Sequence, residues 1–304
     1  MDMPDGFIPL PPRVEPQAAF RPLLDDLRRT LARPPFERAV HSVYLYGSVA
    51  RGEAITGRSD LDLTLVLRDP PSPELAAQLE TGGPGGGGGP PPGGQQGLGF
   101  APPRPPPPPG PPRGRGGLGQ PPPPPAPGRP PGPRPGGRWP RPHPEVSKID
   151  FDIGHLDQAR DPANRDSWGY WLKHRCRCLW GEDLASDLPP LRPAKAIALA
   201  LNGDYAQVLE DYARRLESAS SEEERRLQRE AAKKLIRSSD ILRGETESVW
   251  PETLEHYLAL FRARHPGQAP ALEYFKAVLD GQVTDPAVFI ERLRAFSAWM
   301  QRQA

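Results

Sequence analysis

Two aspartates, Asp60 and Asp62, flank a single leucine at the start of a predicted strand. Because alternate residues of a strand point to the same face, both carboxylates lie on one face, with their Cα atoms roughly 7 Å apart. Like charges at this separation repel unless a cation lies between them. Carboxylate oxygens suit Mg²⁺, which binds one or two carboxylates together with substrate phosphates. The pair therefore predicts a metal site that serves a nucleoside triphosphate.

A phosphate site is predicted twelve residues upstream, where Gly47 and Ser48 follow a predicted strand and precede a short helix. Their backbone N–H groups and the Ser48 hydroxyl are placed to receive a phosphate at the start of that helix. Arg51 lies on the same helix and adds a positive charge. The predicted phosphate site and the predicted metal site thus adjoin each other.

Further acids, Asp150 and Asp152, alternate with apolar residues over 146–153, a pattern typical of a half-buried strand. Both are on the polar face of this predicted strand, which also carries Lys148. Either aspartate is a candidate to complete the metal site or to accept a proton from an attacking hydroxyl.

The elements that position these residues alternate between strand and helix in the first part of the chain. Strands are predicted at 40–46, 61–67 and 146–153, and helices at 22–32, from 47 to about 54, and at 73–80 with Ser72 as N-cap. From there the pattern is helical, over about 166–180, 193–218, 221–243, 251–264, 269–280 and 285–302. The predicted fold class is α+β, with a small mixed-sheet domain followed by an all-α helical-bundle domain.

A Pro/Gly-rich tract interrupts the predicted α/β domain. Residues 81–142 hold 25 of the 45 prolines and 20 of the 31 glycines of the 304-residue chain. Such a segment buries too little apolar surface to offset its ordering entropy, so it is predicted to be a disordered insert. The predicted division is a catalytic domain at 1–80 plus 143–164, the insert at 81–142, and the helical bundle at 165–304.

Charge and composition exclude several classes of partner. The insert carries 7 Arg and no acid, which leaves 32 of the 39 basic residues against all 38 acidic residues elsewhere. A broad nucleic-acid surface needs a basic surplus, and none is present outside the insert.

The sequence lacks an apolar run of membrane-spanning length and a signal peptide. Cys176 and Cys178 lie in a predicted helix that points them to different faces. Reduced thiols and a cytoplasmic location are therefore expected.

The segment GSVARGEAITGRSDLDLTLVL, from Gly47 to Leu67, resembles the nucleotidyltransferase superfamily related to DNA polymerase beta. The positions that match the family pattern are Gly47, Ser48, Arg51, Gly52, Ser59, Asp60 and Asp62. The family's third acid lies between two hydrophobic residues of a later strand, a setting that Asp150 matches and Asp152 matches nearly as well. The helical second half is similar to that of aminoglycoside adenylyltransferases and other small nucleotidyltransferases. The insert is a departure, since it replaces most of the ordered connection that the family has between the second and third carboxylate strands.

This resemblance implies transfer of a nucleoside monophosphate, with AMP from ATP expected, to a hydroxyl of a small acceptor such as an aminoglycoside, with release of pyrophosphate. Two Mg²⁺ ions would be held by Asp60 and Asp62, with Asp150 or Asp152 as third ligand or general base. Nucleotide binding is expected at Gly47, Ser48, Arg51 and Ser59. Lys233, in the helical half, either reaches the nucleotide as well or lies on an exposed helix face.

Two alternatives to a small-molecule transferase are a regulatory or antitoxin-like module that acts on or binds a protein, and a catalytically inactive chain interrupted at 81–142.

Several other residues that could suggest a binding site are assigned to packing instead. His174 and Cys178 are four apart in a predicted helix, but no further ligand lies near them in sequence, so a packing role is favoured over a metal site. Trp168, Tyr170 and Trp171 are likewise expected in the core.

Overall fold

The computed structural model of the chain describes residues 6–34, 36–71 and 143–303. The predicted helix at 73–80, its N-cap Ser72 and the predicted insert at 81–142 lie outside these residues. The architecture is a mixed sheet followed by a helical region, which confirms the predicted α+β class.

The sheet has four strands among the described residues: β1 (Val40–Tyr46), β2 (Leu61–Leu67), β3 (Ile149–His155) and β4 (Arg177–Gly181). Their order is β3-β2-β1-β4. β1 is antiparallel to both β2 and β4, whereas β2 and β3 are parallel. The predicted bounds of β1 and β2 are confirmed, and β3 begins three residues later than predicted and ends two residues later.

The helix predicted at 166–180 is wrong. Two π-helical turns, Arg165–Gly169 and Trp171–Arg175, are followed by β4, which pairs with β1. This pairing joins positions more than 130 residues apart, for example Tyr44 with Cys178, so the local pattern does not report it. β4 lies inside the range assigned to the helical bundle. Cys176 and Cys178 are free, as predicted, although they flank the start of a strand rather than lie on a helix.

Both faces of the sheet are covered by apolar side chains. On one face pack α1 (Arg21–Leu31), α2 (Phe36–Ala39) and α3 (Gly47–Arg51), with the α1 leucines at 23, 24, 27 and 31 buried. The other face meets Trp168, Trp171 and Leu172, next to α4 (Leu156–Arg160). The indole Nε1 of Trp171 donates a 2.9 Å hydrogen bond to Oγ1 of Thr64 in β2, and both side chains are buried. The core prediction for Trp168, Tyr170 and Trp171 is confirmed.

The C-terminal region contains six further helices among the described residues: α5 (Lys195–Asn202), α6 (Tyr205–Leu216), α7 (Ser221–Ser238), α8 (Leu254–Arg264), α9 (Ala269–Leu279) and α10 (Pro286–Gln303). The predicted helix at 193–218 is two helices, because the chain turns at Gly203 and Asp204. α7 ends earlier than predicted and continues as a 3₁₀ turn, Ser239–Leu242. None of the helices seen in these parts of the chain is both long and apolar enough to cross a membrane.

A buried ionic network fixes the C-terminal end of α7. Asp240, which is 2% exposed, accepts hydrogen bonds from Nη1 of Arg243 at 3.1 Å and from Nη2 of Arg264 at 2.9 Å. Arg264 also pairs with Glu247, and Arg243 is 1% exposed. The network therefore ties the end of α7 to α8 and to the loop between them.

Asp240→Asn is expected to lower the free energy of unfolding by about 3–5 kcal/mol, because it leaves buried guanidinium groups without their negative partner. Urea denaturation of the full chain measures this loss. The control is Asp211→Asn, which removes an exposed ion pair with Arg214 and is expected to cost under about 1 kcal/mol. Equal losses in the two variants would contradict the role given to Asp240.

Candidate active site

Acidic side chains meet at one end of the sheet because of the register between β2 and β3. Asp62 is directly opposite Asp150, and Thr64 is opposite Asp152. Asp60 immediately precedes β2, with the two-residue spacing that puts it on the face of Asp62. The structure therefore brings Asp60, Asp62 and Asp150 together, and places Asp152 one step further along the same face of β3.

A lysine that the sequence prediction did not assign to the site lies between two of these acids. Nζ of Lys148 is 2.8 Å from Oδ2 of Asp150 and 3.6 Å from Oδ2 of Asp60. The Ser147 hydroxyl donates a hydrogen bond to Oδ1 of Asp60. Burial opposes the charged form of Lys148, but Asp150 and Asp60 outweigh it and raise its pKa. The sequence did contain a signal for Lys148, because this residue lies two positions before Asp150 and therefore on the same face of the predicted strand.

The acids carry more negative charge than the lysine offsets. Burial raises the pKa of Asp62 to about 7, and the charges of Asp150 and Asp60 act in the same direction. Burial also raises the pKa of Asp152 to about 6, against a 2.7 Å hydrogen bond from the Tyr46 hydroxyl, which lowers it. This end of the sheet is therefore a site at which added positive charge is favourable.

Gly47 borders Asp62 directly, and Ser48 follows it in the chain. Gly47 has φ of 72°, a conformation that favours glycine, and a Cβ at this position would overlap the carboxylate of Asp62. Ser48 is half-buried, and no residue in the described ranges hydrogen-bonds to its hydroxyl. The predicted phosphate site thus adjoins the predicted metal site, with a hydroxyl available for a ligand.

The other two residues predicted to bind nucleotide make local contacts. Nε of Arg51 is 2.7 Å from Oε2 of Glu53, and Arg51 is exposed. The Ser59 hydroxyl accepts a 2.9 Å hydrogen bond from the backbone N–H of Ile55. Ser59 therefore shapes the turn that leads into Asp60, and its role in nucleotide binding stays a prediction.

Helix α7 presents a charged face to this end of the sheet. Residues 230, 233 and 237 share one face of the helix by their spacing. Partial removal from water and the charge of Arg237 lower the pKa of Lys233, whereas Asp62 and Asp60 oppose that shift. Lys234, one residue on, is turned elsewhere, with Nζ 2.9 Å from Oδ1 of Asp204.

Two arginines near this face were missed by sequence reasoning. Burial lowers the pKa of Arg237, and the charges of Arg175 and Arg51 act in the same direction. Neither Arg175 nor Arg237 has a side-chain hydrogen bond or an ion pair to any residue that the structure describes. Arg175 precedes the strand that was predicted as helix, so no local signal connected it to the site. Together they add unpaired positive charge on the Arg51 side of the acids.

His174 has the packing role that was predicted. Its Nε2 accepts a 2.9 Å hydrogen bond from the backbone N–H of Leu191, so we assign the proton to Nδ1, which then donates to the carbonyl oxygen of Pro9 at 3.1 Å. This uses both ring nitrogens of a buried imidazole. The alternative of a metal pair with Cys178 is therefore not supported.

The acidic end of the sheet has the donor chemistry for Mg²⁺. In 6–34, 36–71 and 143–303, no three His, Cys, Asp or Glu side chains are arranged to hold a metal ion jointly. Mg²⁺ does not need such a cage, because it binds one or two carboxylates together with substrate phosphates and water. The raised pKa of Asp62, and the position of the Lys148 ammonium between Asp60 and Asp150, mark where a cation is electrostatically favoured. The residues present fit the metal.

A comparison with known protein families matches the segment of the chain that carries the first two acids of this site. Residues 27–82 match the family model of the nucleotidyltransferase domain. The matched segment contains Gly47, Ser48, Asp60 and Asp62, and it confirms the predicted superfamily. No curated protein sequence matches the chain. The likeness to aminoglycoside adenylyltransferases stays a prediction.

Gly47→Ala is expected to destabilise the protein by about 1–3 kcal/mol through overlap with Asp62, in addition to about 1–2 kcal/mol for the left-handed backbone. Gly57→Ala is the matched control, because Gly57 has φ of 73° but its Cβ would lie 3.5 Å from the nearest atom, the carbonyl oxygen of Pro144. Urea denaturation of both variants separates the two contributions. A loss in Gly47→Ala no larger than that in Gly57→Ala would show that Gly47 does not contact Asp62.

The stability of the metal-free protein is expected to decrease as pH rises between about 4 and 7. The raised pKa of Asp62, about 7, means that the folded state binds more protons than the unfolded state in this range, so deprotonation opposes folding. Asp62→Asn removes this contribution and flattens the dependence. Urea denaturation in EDTA at several pH values measures it, and the same slope in both proteins would rule out a raised pKa at Asp62.

Proposed function

We propose, from the nucleotidyltransferase domain that the chain carries, that the protein transfers AMP from ATP to a hydroxyl of a small acceptor and releases pyrophosphate. The observation that most supports this is the register that sets Asp62 beside Asp150, with Gly47 against Asp62. Aminoglycosides are the acceptors that the sequence resemblance implies, and they enter the tests as the cationic class.

The proposed roles follow from position and charge. Asp60 and Asp62 would hold Mg²⁺, two ions being expected. Asp150 would join as the third carboxylate once nucleotide and metal are bound, because the three described carboxylates are not arranged around one ion without them. When bound, Mg²⁺ neutralises the triphosphate and polarises the reacting phosphoryl group. Asp150 is preferred to Asp152 as a ligand because it lies directly opposite Asp62.

The phosphates of ATP are bound on the side of Asp62 where Gly47 lies. The turn at Gly47 and the hydroxyl of Ser48 bind the β- and γ-phosphates, and Arg51 and Arg237 supply positive charge from α3 and α7. Lys233, whose charge interacts with Asp62 and Asp60, is proposed to bind the nucleotide at its α-phosphate, next to the acids. These groups orient the triphosphate so that the pyrophosphate faces away from the acceptor. Phosphoryl transfer depends mainly on such positioning and charge stabilisation.

Asp152 is the proposed general base. It lies on the face of Asp150, and its pKa of about 6 makes its carboxylate more basic than an ordinary aspartate while still ionised at neutral pH. The Tyr46 hydroxyl holds this carboxylate by a 2.7 Å hydrogen bond. Asp152 takes the proton of the acceptor hydroxyl as the new oxygen–phosphorus bond forms and the bond to pyrophosphate breaks, and then releases that proton to water.

Asp62→Asn is expected to lower the rate of AMP transfer by about 10³-fold or more, because it removes a metal ligand and its charge from the transition state. The assay uses ATP labelled at the α-phosphate, with Mg²⁺, and follows label on a panel of hydroxylated acceptors and on protein. Asp69→Asn, an exposed aspartate beyond the other end of β2, is the control.

Unchanged transfer by Asp62→Asn would end this assignment. Label on a protein rather than on a small molecule would favour the regulatory alternative, and absence of label anywhere would favour an inactive chain. Asp150→Asn and Asp152→Asn distinguish ligand from base, since loss of the ligand weakens Mg²⁺ binding and loss of the base does not.

A further inference from the structure

A cleft of about 630 Å³ lies among α7, the first residues of α8 and the end of α9. This volume is in the range that holds a small-molecule ligand. Lys233 lines the cleft and also interacts with Asp62 and Asp60. Glu230 lines it as well, and its charge acts on Lys148, which pairs with Asp150. Through Lys233 and Glu230, on successive turns of α7, the cleft is electrostatically coupled to the acidic end of the sheet.

The positions along α7 give the cleft a direction. Arg237 interacts with Arg51 on the side of Gly47 and Ser48, and Lys233 interacts with the acids. The other α7 residues of the cleft continue away from Arg237 as far as Arg225, about 12 Å beyond Lys233 at 1.5 Å per residue. Along α7, Arg237 thus interacts with the side of the proposed phosphate site, Lys233 interacts with the acids, and the rest of the cleft extends in the direction away from Arg237. An acceptor opposite the leaving pyrophosphate has to occupy such a position.

The charge of the cleft is positive. Five cationic and three acidic side chains line it. The acids are already paired: Glu230 with Arg226 at 3.1 Å, and both Asp280 and Glu255 with Lys276, at 2.6 Å and 3.6 Å.

Three of the cations have no such partner. Arg225, Arg229 and Lys233 make no ion pair with any carboxylate in the described ranges, and all three side chains are exposed in the cleft. Within the part of the chain that the structure describes, Arg229 donates only to the backbone carbonyl of Leu279. Exposed guanidinium groups without an ion-pair partner can bind carboxylates and phosphates through two parallel hydrogen bonds.

We propose that this cleft binds the acceptor of the transfer reaction, and that the acceptor is a small hydroxylated anion carrying a carboxylate or phosphate group. The inference rests on the proposed function and names its substrate class. Aminoglycosides carry several positive charges, and over the length of this cleft they would face three cations that have no ion pair with a described carboxylate. A like-charge arrangement of this kind disfavours binding, whereas an anion gains charge-assisted hydrogen bonds.

The test uses matched hexoses with the full chain, Mg²⁺ and a non-hydrolysable ATP analogue, and isothermal titration calorimetry measures binding. Glucose 6-phosphate and glucuronate are the anionic probes, glucose is neutral and glucosamine is cationic, with kanamycin as a larger cation. At least one anion is expected to bind about tenfold or more tighter than glucose, and the cations more weakly than glucose. The two anionic probes distinguish a phosphate from a carboxylate as the recognised group.

Arg225→Glu is the informative variant, because Arg225 has no hydrogen-bond or ion-pair partner among the described residues whose loss would disturb the fold. It is expected to weaken the favoured anion about tenfold or more and to leave binding of the ATP analogue unchanged. Arg302→Glu, an exposed position on α10 with no ion pair to a described residue, is the control and is expected to change neither.

The inference is overturned if neither anion binds, if a cationic probe binds most tightly, or if Arg225→Glu and Arg302→Glu behave alike. The proposed function fails in a different way, namely if the ATP analogue does not bind with Mg²⁺ or if Asp62→Asn leaves AMP transfer intact. Anion binding that depends on Arg225 in a protein without transfer would keep the cleft as an anion site and reject the enzyme.

Discussion

The parallel register of β2 and β3 is the constraint on which the rest of the structure depends. It forces Asp62 against Asp150, with Asp60 two residues before Asp62, so folding gathers negative charges that an unfolded chain keeps apart. Burial makes this more costly and appears as the raised pKa of Asp62. The Lys148 ammonium offsets part of the repulsion through its contacts with Asp150 and Asp60. A site that is strained without a cation is suited to bind one.

The sheet withstands this repulsion because apolar contacts fix both of its faces. The leucines of α1 pack against one face, and Trp168 and Trp171 against the other. Thr64 lies two residues after Asp62, and its buried hydroxyl is fixed by the indole of Trp171. Burying large aromatic and leucine side chains contributes about 1.5–3 kcal/mol each, more than the repulsion between partly screened carboxylates costs. The carboxylates are thus held on rigid strands.

The parts of the site that sequence could predict are those coded locally. β1, β2 and the turn at Gly47 have strand alternation or a glycine requirement within a few residues, and their positions are confirmed. β4 was predicted as helix, because its pairing with β1 arises only when the chain folds back. Arg237 is one of several cations on an amphipathic helix, and only its proximity to Arg175 and Arg51 in the folded chain singles it out. Charges that distant segments of the chain bring to the site leave no pattern in the local sequence, so they could not be predicted from it.

Lys233 connects the two charged regions of the site. Asp62 and Asp60 attract its ammonium, Arg237 repels it, and it also lines the cationic cleft. A ligand that neutralises the acids therefore removes the attraction that holds Lys233 toward them and makes the cleft more positive. By thermodynamic linkage, an anion in the cleft must change the affinity of the acids for a cation by the same factor. The sheet alone does not contain this coupling, since it depends on the interaction of Lys233 in α7 with Asp62 and Asp60.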